Sequence, residues 1–279
     1  MVNSPSSAPI KRAISVLKCY ISDDSELSAS ELCARTGIAK ATMHRMLQAF
    51  VEDGILERRA GTGKYAVGPL LFQLGGQYMG ATDLVRASSP VVQELNLLTN
   101  ELVNVGVLTD GQVSSVLKED SRDRLRYTFP VGTAVPAYAS SRGQVILSDL
   151  TDTELDARYP EEDLKPRTPK TIATKTELKR VLAQIRADGA AVNLQGSHPD
   201  VGAVGAPVRD QSGRVVAAIS IAIPIFRLDR VNMDDMVALV KLAADAISYR
   251  LGAKPPGEGA RDISDIRKEW ERIQATAEQ

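Results

Sequence analysis

Between Leu27 and Gly68 the chain places a short capped helix, a glycine turn, an amphipathic helix and a hairpin in immediate succession, an order few folds accept. Ser28 followed three residues later by Glu31 is a capping box, in which hydroxyl and carboxylate each satisfy an orphan backbone N–H at a helix start. Leu32 and Ala34 turn apolar surface inward until Thr36-Gly37, where glycine supplies the left-handed backbone that ends the helix. A second helix is predicted from Ala39, with Met43, Met46, Leu47, Phe50 and Val51 along one face and Lys40, Thr42, His44, Arg45 and Gln48 on others. Two short helices about a glycine turn form a helix-turn-helix. After Asp53-Gly54, two strand-like runs flank Gly61-Thr62-Gly63 and read as a β-hairpin wing.

On either side of this motif the pattern is simpler. Residues 1–8 are small and polar, a composition expected to be disordered. Ile10, Ala13, Ile14, Leu17 and Ile21 mark one face of a first helix that packs behind the motif, and Asp23-Asp24-Ser25 breaks it. Pro69 opens a linker helix over 69–83, interrupted by Gly75-Gly76 as a soft joint, because each helical glycine costs about 1 kcal/mol against alanine.

Beyond residue 84 the period alternates. A helix over Leu84–Asn100, with a break at Ser88-Ser89-Pro90, is followed by strands Leu102–Thr109 and Val113–Lys118 around Asp110-Gly111, a strong hairpin signal. A third strand is predicted over Leu125–Phe129, helical structure over Pro136–Leu150 and after Thr151, and a proline-rich loop through Pro160, Pro166 and Pro169. A helix over Thr176–Ala187 stops at Gly189. Strands Ala190–Leu194, Ala203–Arg209 and Val215–Ile223 and a long amphipathic helix over Met233–Leu251 complete the segment. Mixed in this order, they imply an α+β domain with an antiparallel sheet and packed helices over 84–252. Residues 253–279 read as a K-P-P-G-E-G linker and a charged helix striped by Ile263, Ile266, Trp270 and Ile273. That stripe either folds back on the preceding domain or forms a dimer or tetramer contact.

Three strings resemble the winged-helix domain of the IclR-type bacterial transcription regulators: I-K-R-A-I-S-V-L, S-A-S-E-L-C-A-R-T-G-I-A-K-A-T-M-H-R-M-L-Q-A-F-V-E-D-G-I-L-E-R, and G-T-G-K-Y-A-V-G-P-L-L-F-Q-L-G. Downstream, V-G-T-A-V-P-A-Y-A-S-S-R-G-Q-V-I-L-S, G-A-P-V-R-D-Q-S-G-R-V-V-A-A-I-S-I-A-I-P and the final long helix resemble the GAF-like effector-binding domain of the same family. The resemblance implies an N-terminal winged helix-turn-helix over 9–68, a sensor domain, and a ligand-responsive regulator that binds a near-palindromic operator. It also implies a homodimer, or a dimer of dimers.

Composition agrees with a two-domain chain of 279 residues, 43% hydrophobic. A net charge of −1 excludes a broadly basic nucleic-acid coat, so DNA binding must come from local charge. Residues 1–80 carry nine Lys/Arg against seven Asp/Glu, a net of +2, leaving −3 for the rest. Cys19 and Cys33, the two cysteines, fall at apolar helix positions and suit packing in a reduced compartment. No apolar run reaches the roughly 20 residues of a membrane helix, so a cytoplasmic location is expected, with no membrane partner.

In a winged helix the side chains near the start of the recognition helix reach base edges. Arg45, followed by Thr42 and His44, is the candidate for base contact, while Lys40 and the wing residues Arg58, Arg59 and Lys64 are candidates for phosphate. The family resemblance carries effector contacts onto Ser141, Arg142, Asn193, Ala203, Ser220 and Ala222. Arg142 stands where relatives often have a small residue; Asn193, Ala203 and Ala222 replace a carboxylate, a cysteine and a serine. A guanidinium beside a helix N-terminus, with alanines leaving room for a ring, points to a small organic acid and specifically an aromatic carboxylate. The opposing reading turns Arg142 outward to a surface acid. Ser197-His198-Asp200 invites a catalytic triad, but neighbours in one loop do not align as nucleophile, base and orienter. No nucleophile elbow, Walker loop or metal-ligand cluster is present, so no enzyme, cofactor or metal is expected. A winged helix used for protein contact on a dimer scaffold is the alternative.

Overall fold

The computed structural model describes residues 8–21, 26–81, 83–254 and 262–277, with side-chain surroundings omitted over 76–81. They form two compact units, Met1–Thr82 and Asp83–Gln279.

The first unit begins with α1 (Ala8–Lys18), so Ala8 is helical; residues 1–7 and the expected break at Asp23-Asp24-Ser25 lie outside the described residues. Helix α1 presents Ala13, Val16, Leu17 and, just past its end, Tyr20 to the core, while Ile10, Ile14 and Ile21 stay exposed. The helix is therefore rotated from the face its isoleucines suggest, because Val16 fits fully beneath the motif. Strand β1 (Glu26–Leu27) leads into α2 (Ala29–Thr36), whose capping box forms as written: Glu31 N–H donates to Ser28 Oγ at 3.2 Å, and Ser28 N–H donates to Glu31 Oε2 at 2.7 Å. Gly37 ends the helix at φ +70°, its N–H donating to Cys33 O. Helix α3 (Lys40–Glu52) buries Met43, Leu47 and Phe50; Met46 is half-buried and Val51 exposed. The wing strands β2 (Leu56–Arg58) and β3 (Tyr65–Val67) gain an unforeseen third member, since Leu27 of β1 pairs with Tyr65. Helix α4 (Pro69–Ala81) runs unbroken through Gly75-Gly76, correcting the expected interruption there. Glycine weakens a helix but keeps its N–H donor, so it need not interrupt one.

The second unit opens with α5 (Asp83–Thr99), continuous through Ser88-Ser89-Pro90 and holding Pro90 in its interior. Proline's fixed φ is helical and only one donor is lost, while Val85, Val91, Val92 and Leu95 bury the helix on both sides of it. Strands β4 (Leu102–Thr109) and β5 (Gln112–Glu119) form the expected hairpin, with Asp110 and Gly111 at φ +51° and +78°. The strand predicted over Leu125–Phe129 is irregular instead. The edge position belongs to β6 (Ala134–Pro136), while Tyr127 and Phe129 turn onto Leu102, Val201 and Ala222. Next come a 3-10 turn (Ala137–Ala139), α6 (Ser141–Ser148), α7 (Asp152–Arg158), α8 (Lys175–Asp188), β7 (Ala191–Leu194), β8 (Val201–Arg209), β9 (Val215–Pro224) and α9 (Met233–Arg250). The helix expected over Pro136–Leu150 is thus split, with Ser140 capping its second part.

The six strands form one antiparallel sheet in the order β6-β5-β4-β9-β8-β7. One face packs Val105, Val204, Ile219 and Ile221 against Val92 and Leu95 of α5 and Leu239 and Ala243 of α9. The other packs Val113 and Ala218 against Val145 of α6 and Leu178 and Leu182 of α8. Helix α10 (Ile263–Ala277) folds back onto α5 and α9, burying Ile266 and Ile273, and Arg267 pairs with the buried Glu94 of α5. Most of the preceding linker lies outside the described residues.

Candidate functional site

Two surfaces carry chemistry. In the first unit Lys40, His44 and Arg45 project from α3 into solvent, Thr42 is half-buried beside them, and none of the four forms an ion pair among the described residues. Helix α3 has Ala39 at its N-cap and no side-chain cap; Thr42 and Met43 N–H donate to Ala39 O, and the positive end of the helix dipole lies beside Lys40 and Thr42. On the wing, Arg58 lies over the turn at Gly63. Arg59 pairs with Glu57 at 2.7 Å and Glu26 at 3.1 Å, and Lys64 lies 4.0 Å from Glu31. These are surface pairs worth about 0–1 kcal/mol, readily exchanged for a phosphate.

In the second unit, Ser141, Arg142, Ala203, Ser220 and Ala222 meet around one cavity with Asn104, Tyr127, Phe129, Thr133, Val135, Ser140, Ser197 and Val201. Strand alternation explains the gathering. Leu102 and Asn104 of β4 lie opposite Ala222 and Ser220 of β9, and Ala203 of β8 lies opposite Ala222, so all five share one face. Asn104 and Ser220 meet at 3.2 Å in full burial. The N-terminus of α6 is laid against that face where two strands lack side chains. A Cβ at Gly205 would lie 3.2 Å from the Ser141 carbonyl carbon, and one at Gly106 would lie 2.9 Å from the Arg142 guanidinium.

Arg142 dominates the electrostatics. It is 7% exposed, it forms no ion pair among the described residues, and its Nη1 has no hydrogen-bond partner. Burial lowers its pKa to about 10, with Tyr127 acting in the opposite direction, so it remains a cation at neutral pH. The Phe129 ring lies 5.7 Å from its Cζ. The outward-facing reading of Arg142 is therefore set aside. Asn193 does not reach the cavity: its Oδ1 accepts the Gly196 N–H at 2.9 Å and closes the turn after β7. In place of a triad, His198 Nδ1 accepts the Asp200 N–H at 3.2 Å, and its ring lies beside Tyr127.

Sequence reasoning missed Asn104, which alternation along β4 would have placed opposite Ser220. It also missed Tyr127 and Phe129, for which no periodic signal exists. No described helix is long and apolar enough to cross a membrane, and no described cluster of His, Cys, Asp and Glu could hold a metal.

Comparison with known proteins matches residues 76–249 to the bacterial transcriptional regulator IclR C-terminal domain and residues 9–60 to the IclR helix-turn-helix domain. The HTH-type transcriptional regulator KdgR of Escherichia coli is 28% identical over 243 residues, covering 85% of this chain and 92% of its own. BhcR of Paracoccus denitrificans, another HTH-type regulator, is 29% identical over 252 residues, 90% of each chain. Among solved structures, an IclR homolog from Microbacterium hydrocarbonoxydans, complexed with 4-hydroxybenzoate, superposes with a TM-score of 0.76 at 23% identity, covering 88% of this chain and 99% of its own.

Proposed function

This chain belongs to the IclR family of bacterial transcriptional regulators, and from that premise we propose that its second unit binds an aromatic carboxylate and thereby changes operator binding by the first. The protein is a ligand-responsive DNA-binding regulator of mixed α+β fold. The observation that carries the effector reading is the buried Arg142 at the start of α6, which has no carboxylate partner among the described residues. A guanidinium taken out of water costs several kcal/mol unless paired. A bidentate carboxylate supplies the missing partner. Apolar Val201, Ala203 and Ala222 suit a ring beside it, and the 4-hydroxybenzoate held by the Microbacterium homolog has this chemistry. Isothermal titration of the full chain with benzoate, 4-hydroxybenzoate and aliphatic acids of similar size tests the reading. Tighter binding of the aromatic acids is expected; preference for the aliphatic ones would remove the ring from the assignment.

For DNA, the proposed contacts are Arg45, Thr42 and His44 to bases and Lys40, Arg58, Arg59 and Lys64 to phosphates. A homodimer would set two α3 helices about 34–36 Å apart on a near-palindromic site. The exposed Ile10, Ile14, Phe72 and Leu74 of α1 and α4 supply apolar surface that such an association could bury. Arg45→Ala is expected to cost about 1–3 kcal/mol on the operator and little on random DNA. Lys64→Ala should weaken both alike and reduce the salt slope by about one. Anisotropy titrations across a salt series separate the two, and equal losses on both DNAs for Arg45→Ala would remove it from the base-reading set. The effector acts by binding the DNA-competent and incompetent arrangements with different affinity.

A further inference from the structure

The cavity beside Arg142 has a volume of about 40 Å³. A water takes about 30 Å³ of liquid, and a cavity that admits benzene is about 150 Å³. The space as it stands therefore holds a water or two and no ring, so an aromatic acid must displace part of the wall. Two walls are fixed. The sheet wall is made of hydrogen-bonded β4, β9 and β8, and α6 lies in contact with Gly205.

A third wall is the irregular segment 121–133, which supplies Tyr127 and Phe129. It is tied at its two ends. Asp123 pairs with Arg227, which also holds the buried Glu101, and at the far end Gly132 N–H and Thr133 O bond Ser115 of β5. Between these ends Thr128 Oγ1 meets Lys118 Nζ and Asp120 Oδ1, each at 2.8 Å. Phe129 thus rests between two cations, 5.6 Å from Lys118 Nζ and 5.7 Å from Arg142 Cζ. Lys118 has the Asp120 carboxylate for company, whereas Arg142 has the Phe129 ring face and no carboxylate among the described residues. The quadrupole of an aromatic face is the weak substitute a buried cation accepts when no anion is at hand.

We propose that Phe129 is an internal occupant of the effector's ring position: an aromatic acid binds by replacing the Phe129 ring beside Arg142, and Phe129 therefore sets ring selectivity and affinity together. The inference rests on the reading of Arg142 as the carboxylate partner. It deepens that reading by naming the side chain that competes with the ligand. Expelling Phe129 requires the segment 121–133 to give up the Thr128 bonds to Lys118 and Asp120 while its two ends stay tied, and that cost is subtracted from the affinity of every ring that enters.

The sign of one substitution decides the matter. If Phe129 competes with the ligand, shortening it tightens binding; if it instead forms a lasting wall that stacks on the ligand, shortening it weakens binding. Phe129→Ala, and Phe129→Leu as a milder change that keeps the segment apolar, should bind benzoate and 4-hydroxybenzoate about tenfold tighter than the parent by titration calorimetry. Association followed by stopped flow should also be faster. Weaker or unchanged binding in the Leu variant overturns the proposal, as does tighter binding on Tyr127→Ala without it on Phe129→Leu. Arg142→Met in parallel separates the two levels. Loss of binding in Arg142→Met with weakened binding in Phe129→Leu leaves the carboxylate reading standing and removes only the internal occupant. Retained binding in Arg142→Met, or no binding of either acid to any of these proteins, overturns both.

Discussion

Replacing Arg142 by methionine is expected to weaken binding of an aromatic acid by about a hundredfold or more while leaving the unliganded protein as stable as the parent, or more so. Two charge-assisted hydrogen bonds from a guanidinium contribute about 1.5–3 kcal/mol each, and a hundredfold is less than two of them. The stability half of the prediction runs against the usual direction for a buried residue. Arg142 is 7% exposed and has no carboxylate among the described residues, so in the unliganded protein its desolvation is offset only in part, by the Phe129 ring face. An unbranched apolar side chain fills similar space without that cost. Calorimetric titration measures the first half and thermal unfolding the second. A fall in melting temperature with affinity preserved would make Arg142 a structural residue and remove the site.

Gly143→Ala should be the most damaging single substitution near the site. A Cβ there would stand 2.2 Å from the Ala137 carbonyl oxygen, 2.4 Å from its Cα and 2.6 Å from its carbonyl carbon, all backbone atoms of the turn that precedes α6. No rotamer relieves a backbone clash, so α6 must separate from the 3-10 turn and carry Ser141 and Arg142 with it. Overpacking of this kind costs about 3 kcal/mol or more, equivalent to a drop of roughly 10 °C for a unit of this size. Differential scanning calorimetry measures it. A variant that melts with the parent and binds acid normally would show that α6 is not held where the site requires it.

Legibility from sequence followed the range of the interactions. The Ser28–Glu31 box, Gly37 and the Asp110-Gly111 hairpin are each decided within a few residues, and each formed as predicted. Misreadings arose where a distant partner decided the outcome. The Leu125–Phe129 run has strand-like composition, yet its aromatic residues are drawn off the ladder by Leu102, Val201 and Ala222, the last almost a hundred residues away. The isoleucines of α1 are as apolar as Val16, and only packing against α2 and α3 selects the face that is buried. In the sensor, family resemblance supplied five residues that the fold does gather around one cavity. The sixth, Asn193, was lost to a local competitor, the Gly196 N–H, that spacing alone does not reveal. Phe129 could not be found from sequence at all, because its position follows from distant contacts with Leu102, Val201 and Ala222 and with the Arg142 cation, and not from any period.

The central claim is that occupancy of the Arg142 cavity changes sequence-specific DNA binding. Fluorescence anisotropy of the full chain on the DNA immediately upstream of its own gene, against random DNA, with salt varied and with or without 4-hydroxybenzoate, tests it most directly. Tight binding to the upstream DNA alone is expected, with an affinity that shifts when the acid is added and no such shift in Arg142→Met. Equal, weak binding to both DNAs that the acid leaves unchanged would contradict it.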